Sequence, residues 1–151
     1  FAKAVKGVDG VILFPFTGLE TEKAWIKACK KEKLGVIVGG EMTHKGFLES
    51  EGGFISEKEL LKIYETAAGE KINDFVVPGN KPEKIKLYKA FLEARGVKPI
   101  FYSPGLVAQG GDITKSAKAA GESWHAIVGR ALYNAKDINK AAKELVRNLN
   151  Q

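Results

Sequence analysis

The feature that most constrains this chain is a rhythm repeated five times: a short apolar run, a Gly- or Pro-bearing turn, then an amphipathic helix pattern. The runs are Gly10-Val11-Ile12-Leu13-Phe14, Leu34-Gly35-Val36-Ile37-Val38, Asp74-Phe75-Val76-Val77, Pro99-Ile100-Phe101-Tyr102 and His125-Ala126-Ile127-Val128. Continuous rather than alternating hydrophobicity over so few residues fits strands buried on both faces, as parallel sheets require. Strand alternating with helix predicts an α/β fold with a parallel sheet.

The helices between the runs carry their own punctuation. Ser56 followed by Glu59 is a capping box, opening a helix with Leu60, Ile63, Tyr64 and Ala67 on one face. Pro82 suits a first helical position, with Ile85, Tyr88, Phe91 and Leu92 at helical spacing before Gly96 ends the pattern. Asp137 caps a last helix whose Ile138, Ala141, Ala142, Leu145 and Leu149 are expected to face inward. Glu20 to Lys31 also reads as helix, burying Trp25 or Ala24, Ala28 and Cys29. No linker divides the chain, so residues 1–151 are read as one domain or part of one. Residue 1 is Phe, and the first few residues read as the end of a helix, so the chain is expected to begin in mid-fold.

Two architectures compete. An open doubly wound sheet fits five strands in this length, although no G-x-G-x-x-G follows the first strand, which removes the dinucleotide-binding version. A (β/α)₈ barrel needs about 250 residues, of which this chain would supply five of eight units. The motifs at the strand ends favour the barrel.

Composition narrows the partners. The net charge of +6 comes from lysines interleaved with glutamates, as in Glu57-Lys58-Glu59. That is the pattern of solvated helix faces rather than a nucleic-acid stripe, and a modest positive field favours a small anionic ligand. No apolar run approaches the roughly 20 residues that span a bilayer, and no signal peptide opens the chain, so a soluble, cytoplasmic protein is expected. The single cysteine, Cys29, cannot form an intrachain disulfide and reads as a small core residue. No Cys/His spacing points to a metal.

In parallel α/β folds ligands bind where strands end. The densest such segment is Ser103-Pro104-Gly105-Leu106-Val107-Ala108-Gln109-Gly110-Gly111-Asp112. Its glycines let backbone N–H groups approach an anion, and Gln109 adds an amide donor. One βα unit later comes Val128-Gly129-Arg130, a strand end bearing a guanidinium. Barrels often hold a phosphate between the loops after their last two strands, which this pairing fits. In Glu41-Met42-Thr43-His44, Thr43 can exchange hydrogen bonds with a heterocycle. His44 reads as a hydrogen-bonded structural residue rather than an acid or base. Glu41 is expected to orient its neighbours, and His125, at the start of its strand, reads as structural.

Together, Glu41-Met42-Thr43-His44, Val77-Pro78-Gly79-Asn80-Lys81-Pro82-Glu83, Ser103-Pro104-Gly105 through Gln109-Gly110-Gly111-Asp112 and Val128-Gly129-Arg130-Ala131-Leu132-Tyr133 resemble orotidine 5′-monophosphate decarboxylases, the archaeal-type branch most of all. The resemblance implies a (β/α)₈ barrel, of which this chain is the C-terminal part, usually a homodimer, converting orotidine monophosphate to UMP and CO₂ without metal or organic cofactor. By resemblance, Gln109 and Arg130 grip the 5′-phosphate with backbone groups of Pro104, Gly105, Leu106, Val107, Ala108, Gly110, Gly111 and Gly129. Thr43 stands where the family commonly has a serine that contacts the pyrimidine, Lys45 where it often has proline, and Phe14 where it often has histidine. The family's Asp-x-Lys-x-x-Asp motif, whose lysine protonates the developing carbanion, occurs nowhere in residues 1–151. Asp112-Ile113-Thr114-Lys115 has the wrong spacing for it. The expectation is therefore a substrate-binding part of the enzyme, needing its first three βα units or a separate N-terminal fragment for turnover. The competing readings are a non-catalytic, partner-dependent phosphate-binding half-barrel, or a sister sugar-phosphate decarboxylase or aldolase.

Overall fold

The computed structural model describes residue 5 and residues 7–147. Its elements follow in strict alternation: β1 (Gly10–Leu13), α1 (Leu19–Lys31), β2 (Gly35–Gly39), α2 (Glu57–Gly69), β3 (Asp74–Val76), α3 (Pro82–Glu93), β4 (Ile100–Ser103), α4 (Ile113–Ala120) and β5 (Trp124–Ala126). Two more helices, α5 (Arg130–Tyr133) and α6 (Ile138–Arg147), and a 3₁₀ turn (Glu49–Glu51) between β2 and α2 complete the order. All five apolar runs of the sequence contribute a strand, each within two residues of its expected ends.

The strands form one parallel sheet in the order β1-β2-β3-β4-β5. A doubly wound sheet reverses its strand order at a switch point; this sheet never does. With right-handed crossovers, unbroken sequential order puts every helix on the same face. Consistent with that, α1 packs on α2, α2 on α3 and α3 on α4. The sheet is therefore wound in the manner of a barrel wall, and of the two candidate architectures the barrel type stands.

Side-chain alternation then sorts the strands into two faces. The pairings Leu13 to Val38, Val38 to Phe75, Phe75 to Phe101 and Phe101 to Trp124 run across all five strands. That row joins Ile26, Leu60, Tyr64, Ile85, Tyr88 and Leu92 from the helices in one core cluster. The opposite face carries Ile12, 48% exposed, and the exposed His125, stacked on Tyr102 with ring centroids 4.8 Å apart. Tyr102 donates from its hydroxyl to Asp74 Oδ1 at 2.9 Å on that same face. His125 thus sits in the middle of β5, which begins one residue earlier than the sequence predicts and ends at Ala126 rather than Val128.

Helix starts follow their signals. Ser56 Oγ accepts from Glu59 N at 3.3 Å, and Asp137 Oδ1 accepts from Lys140 N at 2.9 Å. Pro82 opens α3 as expected. Two inward faces differ from expectation. In α1 the buried positions are Glu22, Ile26 and Cys29, while Ala24 and Ala28 are exposed. The larger Ile26 takes the core-facing stripe because it has more apolar surface to remove from water. In α6, Ile138 is 54% exposed, and Ala141, Ala142 and Leu145 are only half-buried. That helix has an amphipathic face, but α6 packs chiefly on the single turn of α5, which is too small to cover it. The helix end expected in the first few residues and the inward-facing Leu149 lie outside the described residues.

Glu22 is the anomaly of this core. It is 2% exposed, and its Oε1 has no hydrogen-bond partner. Burial first, with a smaller contribution from Glu70, pushes its carboxyl up to about 8. A carboxyl raised on folding stabilises the fold below its unfolded value, and that contribution is lost as pH rises through the folded one. Urea-unfolding midpoints are therefore expected to fall between pH 4.5 and about 8 and level off above. Glu22→Gln is expected to flatten that decline; an unchanged pH profile in the variant would contradict the assignment.

Candidate active site at the strand ends

The rim where the strands end is assembled by backbone contacts between neighbouring loops. Gly79 N, after β3, donates to Pro104 O, after β4, at 2.8 Å. Ser116 Oγ, on α4, lies 2.5 Å from Gly79 O and 2.8 Å from Asp112 O. Asn80 Nδ2 donates to Thr43 O at 2.8 Å, tying the loop after β2 to the loop after β3. Trp124 Nε1 donates to Ser103 Oγ at 2.9 Å, which holds β5 against the end of β4.

Glycine is required at two of these crossings. A Cβ on Gly79 would lie 2.7 Å from Pro104 O, and one on Gly105 would lie 2.6 Å from Thr43 Cγ2 and 3.0 Å from Gln109 Oε1. Gly105 also has φ of 84°, a conformation that L side chains rarely adopt. This close approach sets Thr43 and Gln109 beside one another, although they are far apart in sequence.

The loop after β4 folds back on itself. Val107 N donates to Gly111 O at 2.8 Å, Gly110 N to Val107 O at 3.0 Å and Gly111 N to Gly105 O at 3.2 Å. Val107 adopts φ of 58°, unusual for a β-branched residue and a mark of a tightly determined loop. The buried Leu106 side chain anchors the loop to the core side, and Asp112 Oδ1 accepts from Lys115 N at 3.0 Å to start α4. Asp112 and Lys115 are thus a helix cap.

Between this loop and the start of α5 lies a cavity of about 230 Å³, lined by Pro104, Gly105, Leu106, Ala108, Gln109, Ile127, Gly129, Arg130 and Tyr133. The two glycine- and cation-bearing segments singled out in the sequence therefore meet at one space. Gln109 and Arg130 are both exposed to it. Val107, Gly110 and Gly111 do not line it; their N–H groups close the loop instead, whereas Ala108 and Gln109 contribute no N–H to that internal net. Thr43, half-buried, stands behind Gly105.

A second cluster braces the rim from below. Glu41 is buried, and Lys81 Nζ lies 2.7 Å from its Oε1 and 2.6 Å from Glu51 Oε1. Tyr88 donates its hydroxyl to the other Glu41 oxygen. Tyr64 donates to Val76 O at 2.9 Å and accepts from Glu41 N at 3.4 Å. Burial opposes the Lys81 charge, but the hydrogen bonds to Glu41 and Glu51 more than offset it and hold its ammonium above the usual range. The same hydrogen bond from Lys81 lowers Glu51. Burial, reinforced by Tyr64 and Glu41, raises the Tyr88 phenol, which stays a donor. Glu41 was legible as an orienting residue, and its partner Lys81 belongs to a segment that carries the family resemblance, but nothing in the sequence pairs the two across βα units.

Aromatic rings occupy the other end of the rim. The Phe14 ring lies where a Cβ on Gly39 would be, 2.3 Å from its Cε1. Phe14 and Phe16 centroids are 5.8 Å apart, Phe16 and Phe47 5.7 Å, and His44 meets Phe47 edge-on at 5.4 Å. His44 is exposed, and it makes a ring contact rather than the structural hydrogen bond expected of it. Among the described residues no group of three or more His, Cys, Asp or Glu could hold a metal ion. Among the same residues no helix is long and apolar enough to cross a membrane.

The model of the orotidine 5′-phosphate decarboxylase / HUMPS family matches residues 1–145. The chain belongs to that family. Among its relatives, the orotidine 5′-phosphate decarboxylase of Methanocaldococcus jannaschii is 31% identical over 147 residues, covering 97% of this chain and 64% of that protein. The decarboxylase of Pyrococcus abyssi is 34% identical over 140 residues, covering 92% of this chain and 60% of that protein. The crystal structure of the M. jannaschii orotidine 5′-monophosphate decarboxylase complexed with the inhibitor BMP matches with a TM-score of 0.83 at 31% identity, covering 99% of this chain and 66% of that one. The chain thus spans about three fifths of the length of the curated relatives it matches. Its five parallel strands correspond to part of the barrel of those decarboxylases.

The brace under the decarboxylase-type rim yields a stability test. Lys81→Met leaves the Glu41 carboxylate buried without its cation, which costs about 3–5 kcal/mol. Urea midpoints at constant slope should show that loss, and the Glu41→Gln/Lys81→Met double variant should recover part of it. A loss under about 1 kcal/mol, the range of exposed pairs, would show the brace to be unimportant.

Proposed function

We propose that this chain is the C-terminal, nucleotide-gripping part of an orotidine 5′-monophosphate decarboxylase barrel. The observation that carries the reading is the cavity of about 230 Å³ shared by the Gln109 loop and Gly129-Arg130. In the proposed complex the 5′-phosphate occupies that cavity. Arg130 offers its guanidinium fork and Gln109 its amide, with the N–H groups of Ala108 and Gln109 as backbone donors. Gly105 admits the phosphate closely, while Gly110, Gly111 and Val107 serve by holding the loop's shape. Thr43, against Gly105, presents its hydroxyl toward the base. The BMP complex of the M. jannaschii enzyme supports a nucleotide as the class of ligand.

Decarboxylation needs an acid to protonate the carbanion left when CO₂ departs. The Asp-x-Lys-x-x-Asp motif that supplies it in the family is not among residues 1–151. In this reading the chain alone binds and orients the nucleotide, and turnover requires that motif from further barrel units, in the same polypeptide or as a separate fragment. Assembly as a homodimer belongs to the same proposal. The exposed outer strands favour such completion: β5 has His125 and Ala126 exposed, β1 has Gly10 and Ile12, and unpaired strand edges recruit partners.

Binding of UMP to the 151-residue chain should be measurable calorimetrically and exceed that of ribulose 5-phosphate, because Thr43 has no base to meet in the sugar phosphate. Arg130→Ala and Gln109→Ala should each weaken UMP binding about 10- to 100-fold, the worth of one charged hydrogen bond. Equal affinity for the two ligands would favour a sister sugar-phosphate enzyme. Unchanged binding in Arg130→Ala would remove the phosphate assignment.

A further inference from the structure

A second cavity, of about 320 Å³, opens between the N-terminal halves of α1 and α2 and shares no lining residue with the first. Its wall is mostly apolar, from Pro15, Phe16, Leu19, Ile55, Leu60 and Ile63, and Glu22 belongs to it. Carboxylates are almost never fully buried unless paired, and an unpartnered one is costly. Lys62 lines the same cavity and Lys23 acts electrostatically on Glu22, but both pair elsewhere. Lys62 lies 2.8 Å from Glu59, and Lys23 lies 3.4 Å from Glu20. A buried carboxyl oxygen beside an apolar space, left without a hydrogen-bond partner, is a polar group whose partner is still to be supplied.

We infer that this cavity binds a small primary ammonium ion with a short aliphatic body, paired through its nitrogen to Glu22. The chemistry selects that class. A metal ion needs several oxygen ligands, and the other carboxylate lining this cavity, Glu59, is held by Lys62 at 2.8 Å. Phe16 adds an aromatic ring, a group that attracts cations, to the wall, and the alkyl side chains take an apolar body. The volume leaves room for on the order of ten non-hydrogen atoms, at about 30 Å³ each. Seating an ammonium draws the Glu22 carboxyl into its ionised form, so one proton leaves for each amine bound at neutral pH. The charged groups around it are Glu20 and Lys23 on α1, Glu59 and Lys62 on α2, and Glu70 at the end of α2. Glu20 pairs with Lys23 within α1 and Glu59 with Lys62 within α2, leaving Glu22 as the acceptor.

The test is calorimetric titration of n-pentylammonium and n-pentanol into the full chain at pH 6, 7 and 8. The amine should bind more tightly than the alcohol, with affinity rising by up to about tenfold per pH unit. Glu22→Gln should weaken the amine at least about tenfold at pH 8 and abolish its pH dependence, leaving pentanol and UMP binding unchanged. The comparison of amine with alcohol in the natural chain stands even if the variant folds poorly. Equal binding of amine and alcohol, no amine binding, or an amine affinity indifferent to Glu22→Gln would overturn the inference. So would a Glu22→Gln chain that lost self-association in sedimentation, since the counter-charge would then come from a second copy. Failure here leaves the nucleotide cavity untouched, because the two share no residue.

Discussion

Everything in this molecule depends on the unbroken sequential order of its parallel strands. Once neighbours in sequence are neighbours in the sheet, right-handed crossovers put α1 to α4 on one face, and all five strands end at one rim. The core row from Leu13 through Val38, Phe75 and Phe101 to Trp124 follows from that winding. So does the partial exposure of the other face, at Ile12 and His125, which a doubly wound sheet would have covered with helices. A rim shared by all strand ends is also what lets short loops from three different βα units build one site.

At that rim the physical problem is crowding, and glycine solves it. Gly79 and Gly105 sit where any Cβ would strike Pro104 or Thr43, so the loops after β2, β3 and β4 can touch backbone to side chain. Below them the Glu41–Lys81 pair, with Tyr88 and Glu51, fixes the β2 and β3 ends relative to each other. A buried ion pair contributes little net stability against an apolar alternative, but losing one partner is costly, so it enforces one arrangement of the rim. The loop from Pro104 to Gly111 uses its own N–H groups in the same spirit. Three of them are spent on internal hydrogen bonds, and the shape they fix leaves Gln109 lining the same cavity as Arg130.

Much of this was legible in the sequence, for local reasons. The strands are short, apolar and bounded by turns; Ser56, Pro82 and Asp137 act on their own helices within one turn. The two segments that line the cavity between the β4 loop and α5 were legible because glycine-rich loops and a strand-end arginine are local patterns too. The misses are all non-local. Alanines at 24 and 28 satisfy helical periodicity as well as Ile26 does, and only packing against β2 and α2 decides between them. A glutamate at an inward position has no sequence signature at all, so Glu22 could not be anticipated. The partners Glu41 and Lys81 come from different βα units, and the expected inward face of α6 finds only α5 to cover it.

The central claim is that the nucleotide phosphate lies between Gln109 and Arg130 at this rim. A crystal structure of the chain with UMP tests it most directly. The account predicts phosphate oxygens within hydrogen-bond reach of both the Arg130 guanidinium and the Gln109 amide, with the base turned toward Thr43. A phosphate bound anywhere else on the molecule, with the cavity between those two residues left to solvent, would contradict it.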